Sequence, residues 1–376
     1  MIPTVLHIIY DDPKNPWVGG GGAVRVRELY RRLVGRVNVS VITGNFPGAK
    51  NEVIDGVRYV RLGSRSPYAW SRITWGREVN RLLRSAVYDA AIFDFSGYSP
   101  VFLPRNRPTG VTVHHVSQPT ARHRWGSLLS GVLGVVERAM MRRAGRASAT
   151  SQSSLETVQR IAPGMPVNMV GAGVPENLFQ LARRPGKFLL YFGRLDIFHK
   201  GLDTLLEAVA ILVRERPDIE LRIAGRGKDA ERVASLAKEL GIERNVVVLG
   251  AVSDEERNAL LSEAAIQLMP SRFEGFGLAA AEAMAAGVPL VASSAGSLPE
   301  VVDAPRGGVL VPPDDPAALA AATGKLLDDP YGRSTLSITA RESARRFSWS
   351  SVAEDHLEFI NNIAAGGRPT WQAENK

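Results

Sequence analysis

The chain has 376 residues, 45% of them apolar and 22% charged, which is the composition of a folded globular protein too long for one ordinary hydrophobic core. It contains no cysteine, so disulfides, thiolate nucleophiles and zinc–thiolate sites are excluded together. The net charge of +8 is unevenly spread: residues 1–184 carry 25 Lys and Arg against 11 Asp and Glu, and the remainder 21 against 27. A basic first half beside a mildly acidic second half points to an anionic partner for the former, whether acidic glycan, lipid headgroup, membrane surface or nucleic acid. A solubilising arginine-rich surface accounts for the same numbers.

The opening MIPTVLHIIYDD has no basic leader and no small-residue cleavage pattern, so it reads as a first strand and not a signal peptide. The apolar run Leu128–Val136 is too short to span a bilayer, and the expected location is cytoplasmic, with peripheral membrane contact open. Strands are expected at Val5–Ile9, Val37–Ile42, Ala90–Phe93 and Gly110–Val113. Helices are expected between them at Val24–Leu33, Arg77–Ala86 and Ser127–Ala144. The Gly-, Pro- and charge-rich stretch Asn168–Lys187 breaks the pattern and is placed as a linker.

A sharper series follows. Strands are expected at Phe188–Phe192, Glu220–Ala224, Val246–Leu249, Ala265–Met269 and Pro289–Ala292. Helices are expected at Leu202–Arg214, Ala230–Leu240, Asp254–Glu263, Leu278–Ala286, Ala317–Leu327, Tyr331–Arg345 and Val352–Ile363. Strands alternating with helices predict an α/β protein of two parallel-sheet domains. In such sheets ligands bind beyond the carboxyl ends of the strands, so the loops there carry the chemistry.

Pro270–Pro289, PSRFEGFGLAAAEAMAAGVP, passes from a strand through a Gly-punctuated loop into an alanine-rich helix. Gly275 and Gly277 allow close backbone approach, and the free N–H groups at the helix start form an anion site. Glu282, in the second turn, suits a diol, and Glu274, just before the helix, suits another part of the same ligand. In FGRLDIFHKG, Phe192–Gly201, Arg194 supplies a planar fork and Lys200 a compact charge for a diphosphate. Gly19–Gly22 form a loop feeding a helix; they lack dinucleotide-fingerprint spacing, because Arg25 stands where a third glycine is needed, and they also fit a merely flexible loop. His114 and His115 follow a strand and can polarise a hydroxyl or be structural. His7 is expected in the core; His123, His199 and His356 are given no role. No Asp-x-Asp pair or other ligand spacing points to a metal or cofactor, so fixed cations and helix N-termini are expected to stabilise a leaving diphosphate.

These elements together resemble glycosyltransferase family 4, retaining enzymes of the GT-B fold. The resemblance rests on Gly19–Gly22, on Gly-Arg-Leu…Lys-Gly at Gly193–Gly201, on Ala-Gly-x-Gly at Ala224–Gly227, and on Glu274 and Glu282 with seven residues between them. It implies two Rossmann-like domains with parallel sheets facing across a deep cleft: residues 1–180 bind acceptor, residues 185–346 bind the nucleotide sugar, and a helix in 347–366 crosses back to the first domain. It further implies that Arg194 and Lys200 hold the diphosphate and that Glu282 holds the ribose. Glu274 then contacts the transferred sugar, backbone N–H groups of Phe276, Gly277 and Leu278 hold phosphate and sugar hydroxyls, and Gly20, Gly21 and Gly22 close on the phosphate. His114 is implied as the cleft histidine. The implied reaction moves a hexose-type sugar from a nucleoside-diphosphate sugar to a hydroxyl acceptor, anionic or lipid-linked, in glycan, glycolipid or surface-polysaccharide synthesis, without a metal. A nucleotide-sugar 2-epimerase, a phosphorylase and a basic nucleic-acid-binding protein are the rival classes; no motif for the first two and no nucleic-acid module is visible. Arg122–Arg146, with Trp125, Leu128, Leu129, Leu133, Met140 and Met141, is a candidate for docking on anionic membrane, and its apolar positions fit a core helix equally well.

Overall fold

The computed structural model of the chain describes residues 2–17, 21–95, 101–113, 134–184, 186 and 188–366. Gly19, Gly20, His114, His115 and 122–133 of the candidate docking segment lie outside these residues. The described chain forms two compact units, Met1–Ala172 with Trp349–Lys376, and Gly173–Ser348.

In the first unit the elements run β1 (Thr4–Ile8), α1 (Gly21–Arg32), β2 (Asn38–Gly44), β3 (Glu52–Ile54), β4 (Val57–Leu62), α2 (Tyr68–Ser85), β5 (Ala90–Asp94), β6 (Thr109–Val113), α3 (134–141), β7 (Arg146–Ala149), α4 (Gln152–Ile161) and β8 (Val167–Met169). The strands form one sheet in the order β3-β4-β2-β1-β5-β6-β7-β8. Every pairing is parallel except β3 with β4. That hairpin was not anticipated, although Asp55 and Gly56, both at positive φ, are the turn pair that favours one. Two further expectations are corrected. β8 occupies the start of the stretch read as linker, where Asn168 pairs with Ser148. α2 begins nine residues before Arg77, at Tyr68, because Trp75 and Val79 bury a longer face than the Arg-rich end suggests.

In the second unit a 3₁₀ turn at Glu176–Gln180 leads into β9 (Phe188–Phe192), α5 (Ile197–Lys200), α6 (Leu202–Glu215), β10 (Leu221–Ala224), α7 (Ala230–Glu239), β11 (Val246–Gly250), α8 (Asp254–Glu263), β12 (Ala264–Met269), α9 (Leu278–Ala286), β13 (Leu290–Ser293), α10 (Leu298–Val302), β14 (Val309–Val311), α11 (Pro316–Asp328) and α12 (Pro330–Ala344). Its sheet, entirely parallel, has the order β11-β10-β9-β12-β13-β14. Leu205, Leu206 and Val209 of α6 pack on one face with Leu319 of α11, while Met284 of α9 and Ala340 of α12 pack on the other. Strands sandwiched this way must be apolar on both faces, which explains why their sequences read as unbroken hydrophobic runs. Local signals set the helix ends: Ser253 and Glu256 form a reciprocal capping box on α8, and Gly287, left-handed at φ 71°, stops α9.

Val174 pairs with Ser348 where the chain leaves the second unit. α13 (Trp349–Ala365) then lies in the first unit, its Trp349, Phe359 and Ile360 in one core with Val26, Leu29 and Tyr30 of α1. No helix among the described residues is long and apolar enough to cross a membrane.

His7 is fully buried, and so is His356. His7 Nε2 lies 3.2 Å from Asp94 Oδ1, and Tyr30 Oη lies 2.9 Å from His7 Nδ1 and 3.1 Å from His356 Nε2. The carboxylate can only accept, so a consistent arrangement has His7 Nε2–H facing Asp94, Tyr30 donating to His7, and His356 donating to Tyr30. Burial, with Arg25 and His7 nearby, holds His356 well below the ordinary histidine pKa. Its folded pKa lies under its unfolded one, so this stability is present above about pH 6.5 and is lost as pH falls, at about 1.4 kcal/mol per pH unit. Urea unfolding between about pH 7.5 and 5.5 should show this slope, and His356→Gln should flatten it; an unaltered slope would contradict the assignment.

Candidate active site

Three loops at the carboxyl ends of strands in the second unit build the site. The loop after β9 holds Gly193 to Gly201. Asp196 caps α5 by accepting from the His199 N–H at 3.0 Å, which fixes the turn that carries Lys200. The loop after β12 holds Pro270 to Gly277 and feeds α9. These two loops touch at Gly201: it is left-handed at φ 62°, and a Cβ there would lie 2.1 Å from the Pro270 carbonyl oxygen. The loop after β10 explains the Ala-Gly-x-Gly motif in the same way, since a Cβ on Gly225 would lie 1.7 Å from Gly193 O.

Lys200 Nζ makes an ion pair with Glu274 Oε1, which also accepts from Ser271 Oγ at 3.0 Å. The side chains of Lys200 and Glu274 are 15% and 8% exposed, so the pair is largely shielded from water and its Coulomb energy is weakly screened. Both line a pocket of about 280 Å³ with Ser271, Gly193, Phe276 and the first residues of α9. The first intrahelical bonds of α9 come from Ala280 and Ala281 to Gly277 O, at 2.9 and 3.1 Å. The N–H groups of Leu278 and Ala279 precede that ladder, and both residues line the pocket. A cation, a carboxylate, a hydroxyl and a helix N-terminus thus converge on one pocket, which suits an anion bearing hydroxyls.

Not every expected residue lies there. Arg194 is exposed and does not line the pocket, although neighbouring Gly193 does. Its carbonyl accepts from Tyr191 Oη at 2.9 Å, and its guanidinium makes no ion pair among the described residues. Glu282 lies one turn along α9 from Leu278. Its Oε1 is 3.5 Å from Arg257 Nη1, and Arg257 also lies 3.1 Å from Asp254. Burial pushes the Glu282 carboxyl above the ordinary range, and Asp254 adds to the rise against the opposing pull of Arg257. Gly21 and Gly22 open α1 in the first unit, where Gly22 sits against Ile9 and Asp11. Among the described residues no His, Asp and Glu group has the arrangement of a metal site.

Ser271, Tyr191 and Arg257 were not anticipated. Ser271 stood in the quoted loop, three residues before Glu274, and its position at a strand's carboxyl end was the available signal. Arg257 comes from α8, and nothing in sequence spacing links it to Glu282.

Two family models match successive halves of the chain, "Glycosyltransferase Family 4" over residues 19–177 and "Glycosyl transferases group 1" over residues 175–343. The chain is 38% identical over 278 residues to the MMP alpha-(1->4)-mannosyltransferase of Mycolicibacterium hassiacum, covering 69% of this chain and 66% of that one. The matched part spans about half to two thirds of the length of these curated relatives. Among solved structures, the sucrose-phosphate synthase of Thermosynechococcus elongatus superposes with a TM-score of 0.77 at 23% identity, covering 96% of this chain and 99% of that one. Anabaena Alr3699/HepE in complex with UDP and glucose superposes with a TM-score of 0.71 at 18% identity, covering 96% and 100%. With two doubly wound units, the terminal helix packed on α1 and both family models matched, the chain belongs to the glycosyltransferases of the GT-B fold.

Proposed function

We propose that the protein transfers a hexose-type sugar, with retention, from a nucleoside-diphosphate sugar to a hydroxyl acceptor. The observation that carries this reading is the convergence of Lys200, Glu274 and the N-terminus of α9 on one pocket. In the proposed reaction the bond from C1 of the sugar to the diphosphate breaks and its electron pair leaves on the β-phosphate oxygen. The acceptor oxygen bonds to C1 from the same face and passes its proton to the departing phosphate oxygen. Lys200 and the N–H groups of Leu278 and Ala279 are fixed before reaction and oppose the charge growing on the diphosphate. Arg194 swings from solvent onto the same phosphates. Glu274 receives hydroxyls of the sugar, and Glu282, behind the helix start, takes the ribose diol. The first unit supplies the acceptor side, with Gly20 to Gly22 and His114 as its contributions by resemblance. The likeness to a mannosyltransferase supports a hexose donor. Release of free nucleoside diphosphate from a panel of UDP-, GDP- and ADP-sugars tests the reading; conversion to an epimer without release would favour the epimerase class instead.

The basic first unit supports an anionic or lipid-linked acceptor reached at a membrane surface. Trp70 and Ile73 of α2 are each 48% exposed and share a helical face with the exposed Arg77, Arg81 and Arg84. Co-sedimentation with anionic but not neutral liposomes tests this; equal absence from both removes it.

Glu282 is placed for function at a cost in stability. Its folded pKa lies above the unfolded one, so the ionised side chain destabilises the fold as pH rises through the folded pKa. Glu282→Gln should therefore raise the melting temperature at pH about 8, with the gain shrinking in acid, while nucleotide binding weakens at least about tenfold, the scale of losing hydrogen bonds to a charged group. A variant that is less stable at every pH and binds nucleotide normally would contradict both roles.

A further inference from the structure

Arg272 stands in the loop that carries Glu274, yet it does not line the pocket. Its guanidinium is engaged elsewhere. Nη1 donates to the carbonyl oxygens of Ile197 and Phe198 at 3.1 and 3.2 Å. Nη2 donates to Asp203 Oδ2 at 2.9 Å and to Thr204 Oγ1 at 3.4 Å, and Nε donates to Asp314 Oδ1. A guanidinium has five N–H donors, and here each meets an acceptor. The side chain is 18% exposed, so water competes weakly for these bonds. The acceptors lie on three segments: α5, which ends at Lys200, the first turn of α6, and the turn before α11. The backbone repeats the connection to α5, since the N–H groups of Arg272 and Phe273 donate to His199 O at 3.0 and 3.2 Å. With only four residues, α5 is too short to be held by its own hydrogen bonds, and the bonds from Arg272 help to fix where it lies.

We infer that Arg272 is a positioning residue that clamps the segment bearing Lys200 to the segment bearing Glu274, so that the cation stands in place before a nucleoside diphosphate arrives. The proposal rests on the donor reading of the pocket. Gly201 permits the two loops to approach, and Arg272 supplies the bonds that keep them together. A cation held in advance opposes the charge on a leaving phosphate without reorganising, whereas a lysine on a loose segment must first be ordered. Direct contact of Arg272 with the phosphates fits poorly, because its five donors are already used within the second unit. An ordinary surface ion pair fits no better, since such a pair joins two side chains in water and leaves the backbone alone. Lysine cannot replace it: three donors on a compact charge do not span acceptors on three segments.

The test is a double-mutant cycle on the full chain, with UDP, GDP and ADP titrated into wild type, Arg272→Lys, Lys200→Ala and the double variant. Arg272→Lys should weaken the bound nucleotide at least about fivefold when Lys200 is present, and less than about twofold in the Lys200→Ala background. A clamp that acts through Lys200 has nothing to position once that side chain is gone. Asp314→Asn removes one charged acceptor and leaves the rest of the clamp; it should show the same dependence on Lys200 at smaller size, and it serves if Arg272→Lys does not fold. Equal losses in the two backgrounds would mean that Arg272 supports the fold at large or touches the nucleotide itself, and would overturn the proposal. Unchanged affinity in Arg272→Lys would do the same. Hydrogen exchange without ligand gives a second reading: the His199, Lys200 and Gly201 amides should exchange at least about tenfold faster in Arg272→Lys. Binding of no nucleotide by wild type would count against the donor reading, while unchanged exchange at these amides would overturn the clamp whether or not nucleotide binds.

Discussion

Lys200→Ala is expected to lower turnover about 10²–10³-fold, the loss that follows removal of one fixed donor facing a leaving group. The same change strands Glu274, whose side chain is 8% exposed and keeps only the Ser271 hydroxyl as a side-chain partner among the described residues. Breaking such a pair from one side costs about 3 kcal/mol, most of it the burial of an uncompensated charge. The two consequences separate in Lys200→Met/Glu274→Gln, which removes both charges. That double variant should recover most of the lost stability in urea unfolding and remain inactive. Recovery of turnover along with stability would mean that Lys200 merely neutralises Glu274 and does not act on the phosphates.

Gly201→Ala is expected to be the most damaging single-methyl change near the site. The new Cβ would sit 2.1 Å from Pro270 O, in a left-handed residue, so the loop bearing Lys200 must separate from the loop bearing Glu274. We expect a loss of roughly 2–4 kcal/mol, from left-handed strain and steric displacement together, with turnover falling by at least about tenfold. Gly241→Ala is the control. It is also left-handed, at φ 71°, but a Cβ there meets nothing within 4 Å, so it should cost about 1 kcal/mol and leave turnover alone. Equal effects from the two substitutions would show that backbone strain, and not the approach of the two loops, governs the site.

Much of the second unit was legible because its elements obey local rules. β9, α8 and α9 have the residue limits expected of them, since Ser253, Gly277 and Gly287 mark helix ends through capping and left-handed geometry that sequence displays directly. The first unit was less legible. The β3–β4 hairpin is made of short strands whose alternation is masked by charge, and β8 hides in a Pro-rich stretch where only pairing with β7 makes it a strand. At the site, Lys200 and Glu274 stand out in the sequence as candidates because each follows a strand's carboxyl end, but their contact depends on Gly201 allowing two loops together. The partner of Glu282 was out of reach: Arg257 comes from a neighbouring helix, and tertiary packing alone brings it there. Likewise His356 gave no sign in sequence of bonding Tyr30, 326 residues away.

Isothermal titration of UDP, GDP and ADP into wild type and Lys200→Ala reaches the heart of the account, which is that the pocket between Lys200, Glu274 and the start of α9 holds a nucleoside diphosphate. One of the three nucleotides should bind wild type, and its affinity should fall at least about tenfold in the variant. Binding of none of them, or equal affinity in both proteins, would contradict it.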